Sequence, residues 1–401
     1  MSLLKLTLKS ILNRKFTTLL LIISIMLSSA LILSIHKIRL SSKKSFNQSI
    51  SNTDLIIGPR SGDIQLLLYT LFRKGDPISS MSYQSVKKIK QLPAVKWLIP
   101  LSMGDSHKGF PVIGTTNSYF NFFRYHNNQQ LTFKKGAIFK NPLDIIIGSD
   151  VSKKYGYQLG QKLYLSHGMS EQSLANHHRR PFIISGILKK TGTPVDKTLH
   201  IQLSAMDSLH FSSISPNKGA PKTITSCLVG LHSKLSLFYT KNRIINWPNE
   251  SLSAIIPGLT LSKLWSTIHP IDTLLRIINI LVFIIICITL QLSLLLTLHQ
   301  RKNELSILRS IGAHPKHLVY ILLLEASIIT VAGIGLGILL MISCSSFITP
   351  ILSKKTGLII HMGSISSHEL LVILILLMAG LLTSTIPAII AYKKSKQTLL
   401  S

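Results

Sequence analysis

The chain has 401 residues, of which 46% are hydrophobic and only 14% are charged, and its mean hydropathy is +0.38. A soluble globular protein of this length carries more charge and fewer apolar residues, so the composition excludes that class. Lys and Arg outnumber Asp and Glu by 44 to 14, which gives a formal net charge of +30.

The positive charge is dispersed along the chain. Of the 44 basic residues, 30 lie between positions 37 and 270, singly or in short pairs. They form no compact basic patch interleaved with aromatic residues, which is the pattern of a nucleic-acid-binding surface. We therefore expect no nucleic-acid partner. A proteome that is rich in Lys and poor in acidic residues explains the charge without any partner, and attraction to the anionic headgroups of membrane lipids is the alternative.

Four apolar segments are long enough, at about 20 residues, to cross a bilayer as helices. The predicted transmembrane helices are residues 16–36, 271–298, 318–348 and 370–391. Basic residues precede the first segment, as in a signal peptide, but its apolar core is too long and no small-x-small cleavage site precedes His36. We expect it to be a retained membrane anchor.

The distribution of basic residues between the short loops predicts the orientation of the chain. The loop 299–317 contains four Lys and Arg residues, whereas the loop 349–369 contains two. Basic short loops lie on the cytoplasmic side of the membrane. The segments 1–15, 299–317 and 392–401 are therefore predicted to be cytoplasmic, and 37–270 to form an external domain.

Short strand and helix patterns alternate within this external domain, which predicts a mixed α/β fold. Strands are predicted at 54–58, 96–100, 110–114, 142–148, 162–165 and 181–188, and helices at 64–72, 82–91 and 252–264. The only cysteine between positions 37 and 270 is Cys227, so no disulfide can form within the domain. At about 230 residues it is long enough to be stabilised by its own apolar core.

Two glycine-containing passages of the domain are candidates for a ligand site. Gly58–Gly62 follows a predicted strand, and Thr191–Asp196 reads Thr-Gly-Thr-Pro-Val-Asp. A glycine loop after a strand can bind phosphate, but the composition of both passages is also that of tight turns. The chain contains no Gly-x-x-x-x-Gly-Lys-Ser/Thr sequence, so we expect no ATP site and no cofactor of its own.

His167, His177 and His178 lie close together in a polar stretch and are weak candidates for a metal site. Their spacing matches no established ligand pattern, and Arg179 and Arg180 would repel a cation. We expect a domain without bound metal. No nucleophile with an adjacent base and no pair of carboxylates is evident, so an enzymatic function is not expected.

Within the apolar segments, Glu325 and two glycines were identified as candidate functional residues. An ionisable group inside a membrane is usually paired or functional, and Glu325 could pair with Arg309 or lie at the interface. Gly333 and Gly337 have the small-xxx-small spacing that lets helices pack closely. The spacing fits either packing within this chain or a contact with a second copy.

The loop 299–317 is the most informative segment of the sequence. It places charged residues and apolar residues in one short helical pattern between two apolar spans. Such a segment either lies along the membrane surface as an amphipathic helix that receives a soluble partner, or is simply a basic cytoplasmic loop.

The pattern R-K-N-E-L-S-I-L-R-S-I-G-A from Arg301 to Ala313 resembles the coupling region of the MacB/FtsX-like permeases, the membrane subunits of a class of ABC transporters. The layout of one span, a large external domain and three further spans is also similar to this family. The resemblance assigns contact with the ATPase to five positions in this segment, which are Arg301, Glu304, Leu308, Arg309 and Gly312.

The resemblance implies an α+β membrane protein with four transmembrane helices and a mixed α/β domain after the first, with an inserted subdomain at about 120–190. It implies a bacterial inner-membrane permease that couples ATP hydrolysis by a separate cytoplasmic subunit to motion of its periplasmic domain, for export or for lipid and lipoprotein handling. The expected partners are that ATPase, a second identical or different permease chain, and a periplasmic adaptor or substrate protein. A membrane regulator of a partner such as a cell-wall hydrolase, and a component of a metal-uptake system, are the alternatives.

Overall fold

The computed structural model describes residues 3–48, 52–167, 181–210, 222–300, 315–356 and 367–397. Within these ranges the helices are α1 (Leu3–Asn13), α2 (Lys15–Gln48), α3 (Asp63–Phe72), α4 (Tyr83–Lys90), α5 (Ser118–Phe122), α6 (Ser149–Tyr155), α7 (Leu203–His210), α8 (Leu237–Ile245), α9 (Pro257–Gln300), α10 (Pro315–Thr356) and α11 (Ser367–Gln397). The chain divides into two compact units, one of which is mainly helical and apolar while the other contains the external residues Ser42–Ile268.

The helical unit contains the predicted membrane spans. Four helices are long and apolar enough to cross a bilayer in the described part of the chain, namely Lys15–Leu40, Pro257–Leu296, Val319–Phe347 and Glu369–Ile390. The first lies near the N-terminus and the other three follow the external residues. The predicted arrangement of one span, a large domain and three spans is therefore confirmed.

The external unit contains one long sheet and two separate two-stranded sheets. Its strands are β1 (Leu55–Pro59), β2 (Met81–Ser82), β3 (Val95–His107), β4 (Phe110–Thr115), β5 (Arg124–Tyr125), β6 (Gln129–Gln130), β7 (Phe133–Gly136), β8 (Asp144–Ile147), β9 (Lys162–Leu163), β10 (Ser166–His167), β11 (Phe182–Leu188), β12 (Leu199–Gln202), β13 (Thr223–Ile224), β14 (Ser226–Leu231) and β15 (Leu252–Ile255). The order along the main sheet is β15-β1-β14-β3-β4-β12-β8-β11-β7.

The side chains of this sheet alternate between two faces, as the two-residue period of a strand requires. In β1, Ile56 belongs to a core cluster with α3 and α5, whereas Leu55 and Ile57 pack into a separate cluster with α4 and α8. At the other end of the sheet, α6 and α7 cover a third cluster around Ile145. The mixed α/β fold predicted for this region is confirmed.

The segment 120–190, predicted as an inserted subdomain, supplies β5 to β11 and α6. It belongs to the same compact unit as the rest of the domain, since β8 pairs with β12 on one side and with β11 on the other. The insertion thus extends the main sheet.

The helix predicted at 252–264 is partly wrong. Leu252–Ile255 forms the edge strand β15, which pairs with β1 in an antiparallel ladder from Ile56↔Ile255 to Pro59↔Leu252. Leu252, Ala254 and Ile255 are buried, so tertiary packing overrides the helical spacing of the sequence. The helix begins at Pro257, where a proline is well tolerated because the N–H of this position has no partner within the helix.

Candidate functional site

The four spans pack through small residues. A Cβ atom built on Gly333 of α10 would lie 2.6 Å from Cγ2 of Ile25 in α2. One built on Gly337 would overlap the hydroxyl of Ser29 and would lie 2.9 Å from the carbonyl oxygen of Met26. Both predicted packing glycines therefore face α2 of the same chain, and neither position has room for a side chain.

The remaining contacts join all four spans into one bundle. A Cβ atom on Gly380 of α11 would lie 2.7 Å from Cγ2 of Thr330 in α10. Ile25, Leu290, Ile329 and Leu376, one from each span, belong to a single buried cluster. Motion of any one span is thus opposed by packing against the others, because close-packed interiors transmit displacement.

A buried ion pair joins the first and last spans. The ammonium nitrogen Nζ of Lys37 lies 2.9 Å from Oε1 and 3.1 Å from Oε2 of Glu369. The two side chains are only 6% and 2% exposed. A charge in an apolar environment is strongly destabilising unless it is paired, so this contact fixes α2 against α11.

A second ionic contact joins the first span to the second. Nε of Arg39 lies 2.6 Å from Oδ1 of Asp272, and Nη2 of Arg276 lies 3.3 Å from Oδ2 of the same carboxylate. Asp272 is 20% exposed and the two arginines are more exposed. The sequence pattern does not predict this contact, because Arg39 and Asp272 are more than 230 positions apart in the chain.

Glu325 lies in α10 and is 3% exposed. The neighbouring Ala326 belongs to the buried cluster of the bundle. The predicted pairing of Glu325 with Arg309 stays a prediction, because the five positions assigned to ATPase contact, Arg301, Glu304, Leu308, Arg309 and Gly312, lie outside the described residues.

The structure does not test the three histidines that the sequence offers as weak metal-ligand candidates. His177, His178 and the side chain of His167 lie outside the described residues. His107 forms hydrogen-bond contacts with the carbonyl oxygen of Tyr164 at 2.7 Å and with the hydroxyl of Tyr157 at 2.8 Å. No group of three His, Cys, Asp or Glu side chains suited to a metal occurs within the ranges that the structure describes.

His200 occupies a separate, fully buried position in β12. Its ring packs against the rings of Tyr119 and Phe120, with centroid distances of 5.1 and 5.7 Å. Burial, and then the charge of Arg73, lowers the pKa of His200 to about 3, so the imidazole is neutral in the folded domain. Arg73 is itself buried and donates a hydrogen bond from Nη2 to the hydroxyl of Tyr119 at 3.4 Å.

The Thr191–Asp196 passage is a self-contained turn. Oδ1 of Asp196 accepts hydrogen bonds from the amide and the hydroxyl of Thr191, at 2.8 and 2.9 Å, and Oδ2 accepts one from the amide of Gly192 at 2.7 Å. Gly192 has a φ of +76°, which favours glycine. Burial raises the pKa of Asp196, although these hydrogen bonds act in the opposite direction. The turn chemistry predicted for this passage is confirmed.

The Gly58–Gly62 passage is the loop between β1 and α3. A Cβ atom on Gly58 would lie 2.6 Å from Cδ1 of Leu66 and 3.3 Å from the carbonyl oxygen of Thr225, so packing requires glycine there. Gly62 precedes α3 in an extended conformation and provides no side-chain cap. The loop borders a cleft of about 370 Å³, which also involves α8 and β15.

Comparisons with known proteins cover both units. Residues 16–231 match the family described as MacB-like periplasmic core domain, and residues 276–396 match the FtsX-like permease C-terminal family. No curated protein matches the chain.

Among solved structures, the periplasmic region of MacB from Actinobacillus actinomycetemcomitans is similar with 10% sequence identity and a TM-score of 0.36, covering 54% of this chain and 94% of that one. The extracellular domain of the noncanonic ABC-type transporter YknZ from Gram-positive bacteria is similar with 15% identity and a TM-score of 0.32, covering 51% of this chain and 100% of that one.

Proposed function

Because this chain belongs to the MacB- and FtsX-like permease subunits of ABC transporters, we propose that it transmits movement from a partner ATPase in the cytoplasm to its own extracytoplasmic domain. In this family the ATPase is a separate subunit. The coupling segment would comprise Arg301 to Gly312. The permease itself would lie in the bacterial inner membrane.

The continuity of two helices supports the proposal. The helix α2 runs unbroken from Lys15 to Gln48 and α9 from Pro257 to Gln300, so each contains both apolar membrane residues and residues of the external unit. A helix transmits a rotation or translation along its axis, because successive turns are hydrogen-bonded to one another.

The observation that carries the proposal is the ion pair between Arg39 and Asp272. It joins α2 and α9, the two helices through which the chain enters and leaves the external residues. Pro270 lies inside α9 and removes one backbone hydrogen bond there, which weakens the helix at that turn. The ion pair ties α9 to α2 two residues beyond this point, so the two helices would move together.

A test requires the chain, its ATPase and a reporter of motion. Cys287 and Cys344 are replaced by serine, an exposed external position such as Lys234 is replaced by cysteine and labelled with an environment-sensitive fluorophore, and the complex is reconstituted in nanodiscs. We expect ATP to change the fluorescence and ADP to leave it unchanged. The double variant Glu304→Lys with Arg309→Glu should lose the response and ATPase co-purification while still inserting into the membrane.

The matched control is Lys354→Glu with Lys355→Glu, which alters the charge near the C-terminal end of α10, on the predicted opposite side of the membrane. This variant should keep both properties. A double variant at 304 and 309 that retains ATPase binding and the ATP response would show that the segment 299–317 is only a basic loop. Co-purification of an adaptor or lipid would favour transport or extraction, and co-purification of a cell-wall hydrolase would favour regulation.

A further inference from the structure

A polar cleft lies at one edge of the external sheet. Its volume of about 370 Å³ lies within the range of small-molecule sites. Three elements form it, namely the loop before α3, the C-terminal half of α8 and the edge strand β15. Its polar lining consists of Arg60, Asp63, Lys241, Asn246, Ser251 and Ser253.

The cleft has an excess of positive charge. Asp63 is the one carboxylate in its lining, and Oδ2 of this residue lies 3.2 Å from Nζ of Lys263. Arg60 and Lys241 form no ion pair with any carboxylate in the ranges that the structure describes. The two cations therefore remain available to a ligand, while the negative charge of Asp63 is already balanced.

The backbone that carries Arg60 is held in place by the strand beside it. The amide of Arg60 donates a hydrogen bond to the carbonyl oxygen of Ser251 at 3.1 Å, and the amide of Ser61 donates one to the hydroxyl of Ser253 at 3.3 Å. A group presented from a fixed backbone loses little conformational entropy when it binds, which increases its affinity.

The start of α3 adds to the positive potential. No side chain caps this ten-residue helix at Gly62, and its first turn begins at Asp63 in the cleft lining. The unpaired N–H groups of a first helical turn carry a partial positive charge. This effect reinforces Arg60 and Lys241.

We propose that this cleft binds a phosphate group, either as a free ion or as part of a lipid headgroup. A tetrahedral oxyanion accepts hydrogen bonds from guanidinium, ammonium and amide groups, and Arg60, Lys241 and Asn246 bring one of each to the lining of this cleft. The volume of the cleft exceeds that of a phosphate ion and leaves space for a small polar substituent. Phosphate binding at this cleft does not require that the proposed function is correct.

The proposal is tested by measuring binding to the full chain in nanodiscs of zwitterionic lipid, at constant ionic strength, with radiolabelled inorganic phosphate. Glycerol 1-phosphate serves as a competitor, and nanodiscs containing phosphatidylglycerol provide the headgroup in its membrane. We expect saturable binding of phosphate that glycerol 1-phosphate displaces. If instead phosphate binding is weak and phosphatidylglycerol nanodiscs alone raise the thermal stability of the chain, the headgroup is the ligand.

Matched variants assign either response to the cleft. The double variant Arg60→Gln with Lys241→Gln should weaken the binding response at least tenfold. The control variant Lys162→Gln with Lys234→Gln removes two exposed lysines elsewhere in the domain and should leave the response unchanged. Asp63→Asn removes the one carboxylate and should strengthen binding. Because these side chains are at least partly exposed, the variants should fold, and an unchanged unfolding temperature verifies this. Absence of both responses, or equal binding by the two double variants, overturns the proposal.

Discussion

Lys37 and Glu369, which are 332 positions apart in the chain, form an ion pair with almost no exposure to solvent. The pair joins the span that precedes the external domain to the last span of the chain. A buried charge that loses its partner is strongly destabilising, so this contact is open to a direct test.

Replacement of Glu369 by Gln should lower the stability of the bundle by about 3–5 kcal/mol, because it removes the carboxylate that faces the buried side chain of Lys37. Unfolding of the full chain in mixed micelles with increasing denaturing detergent measures the loss. Arg276→Gln, at a largely exposed side chain, should cost less than about 1 kcal/mol. The exchange Lys37→Glu with Glu369→Lys should recover part of the stability, and equal losses in all three variants would contradict a paired role.

The glycines of α10 allow a comparison within one helix. Gly337→Leu places a side chain where Ser29 and Met26 of α2 already lie, whereas a Cβ atom built on Gly335 has no other atom within 4 Å. We expect the first substitution to lower the unfolding temperature of the full chain by several degrees or to prevent folding, since overpacking typically costs about 1–3 kcal/mol or more. The second should have little effect. Similar unfolding temperatures for the two variants would mean that α2 does not pack against this face.

Asp196→Ala should destabilise the external domain by about 3 kcal/mol. The substitution leaves the amide and hydroxyl of Thr191 and the amide of Gly192 without their acceptor in a buried turn, and each unsatisfied group costs about 1–3 kcal/mol before relaxation. Chemical denaturation of the excised segment 42–268 measures the change. Asp76→Ala, at an exposed position of the same domain, serves as the control and should be neutral.

Because His200 is buried, we expect the stability of the external domain to depend on pH in a specific way. Its pKa is about 3 in the folded domain and near 6.5 in the unfolded chain, so the unfolded state binds more protons between these values. Its contribution to stability is complete above about pH 6.5 and decreases as the pH falls, by about 1.4 kcal/mol per pH unit. His200→Phe retains the ring packing. Below pH 6 it should reduce the slope of the unfolding free energy against pH by the contribution of one bound proton. His232→Phe, at an exposed ring, should not change it.

The excised segment 42–268 should be soluble and unfold cooperatively, because three buried clusters of its own stabilise it without a disulfide. Zn²⁺ should leave its unfolding temperature unchanged. A ligand of the folded state alone would raise this temperature as its concentration increases. A micromolar response that is lost when His167, His177 and His178 are replaced by alanine would contradict our expectation of a metal-free domain.

The sequence predicted the parts of this molecule that depend on local pattern. The four spans follow from apolar length, and the close packing of Gly333 and Gly337 follows from their spacing. Their partner did not follow, because spacing along α10 identifies only a face of that helix. The Lys37–Glu369 pair and the cleft around Arg60 could not be foreseen, since both join residues that are distant in the chain. The strand β15 was missed because its burial against β1 depends on a ladder that only the folded sheet provides.

One residue, Ile256, separates the edge strand β15 from the first residue of α9. A fully extended residue spans at most about 3.6 Å, so this connection contains almost no slack. If the start of α9 moves by more than this distance, either β15 separates from β1 or the edge of the sheet moves with the helix. The cleft that includes Arg60 is built on that same edge, so a ligand bound there would contact the strand to which the helix is attached. Occupancy of the cleft and displacement of α9 would therefore influence each other reciprocally.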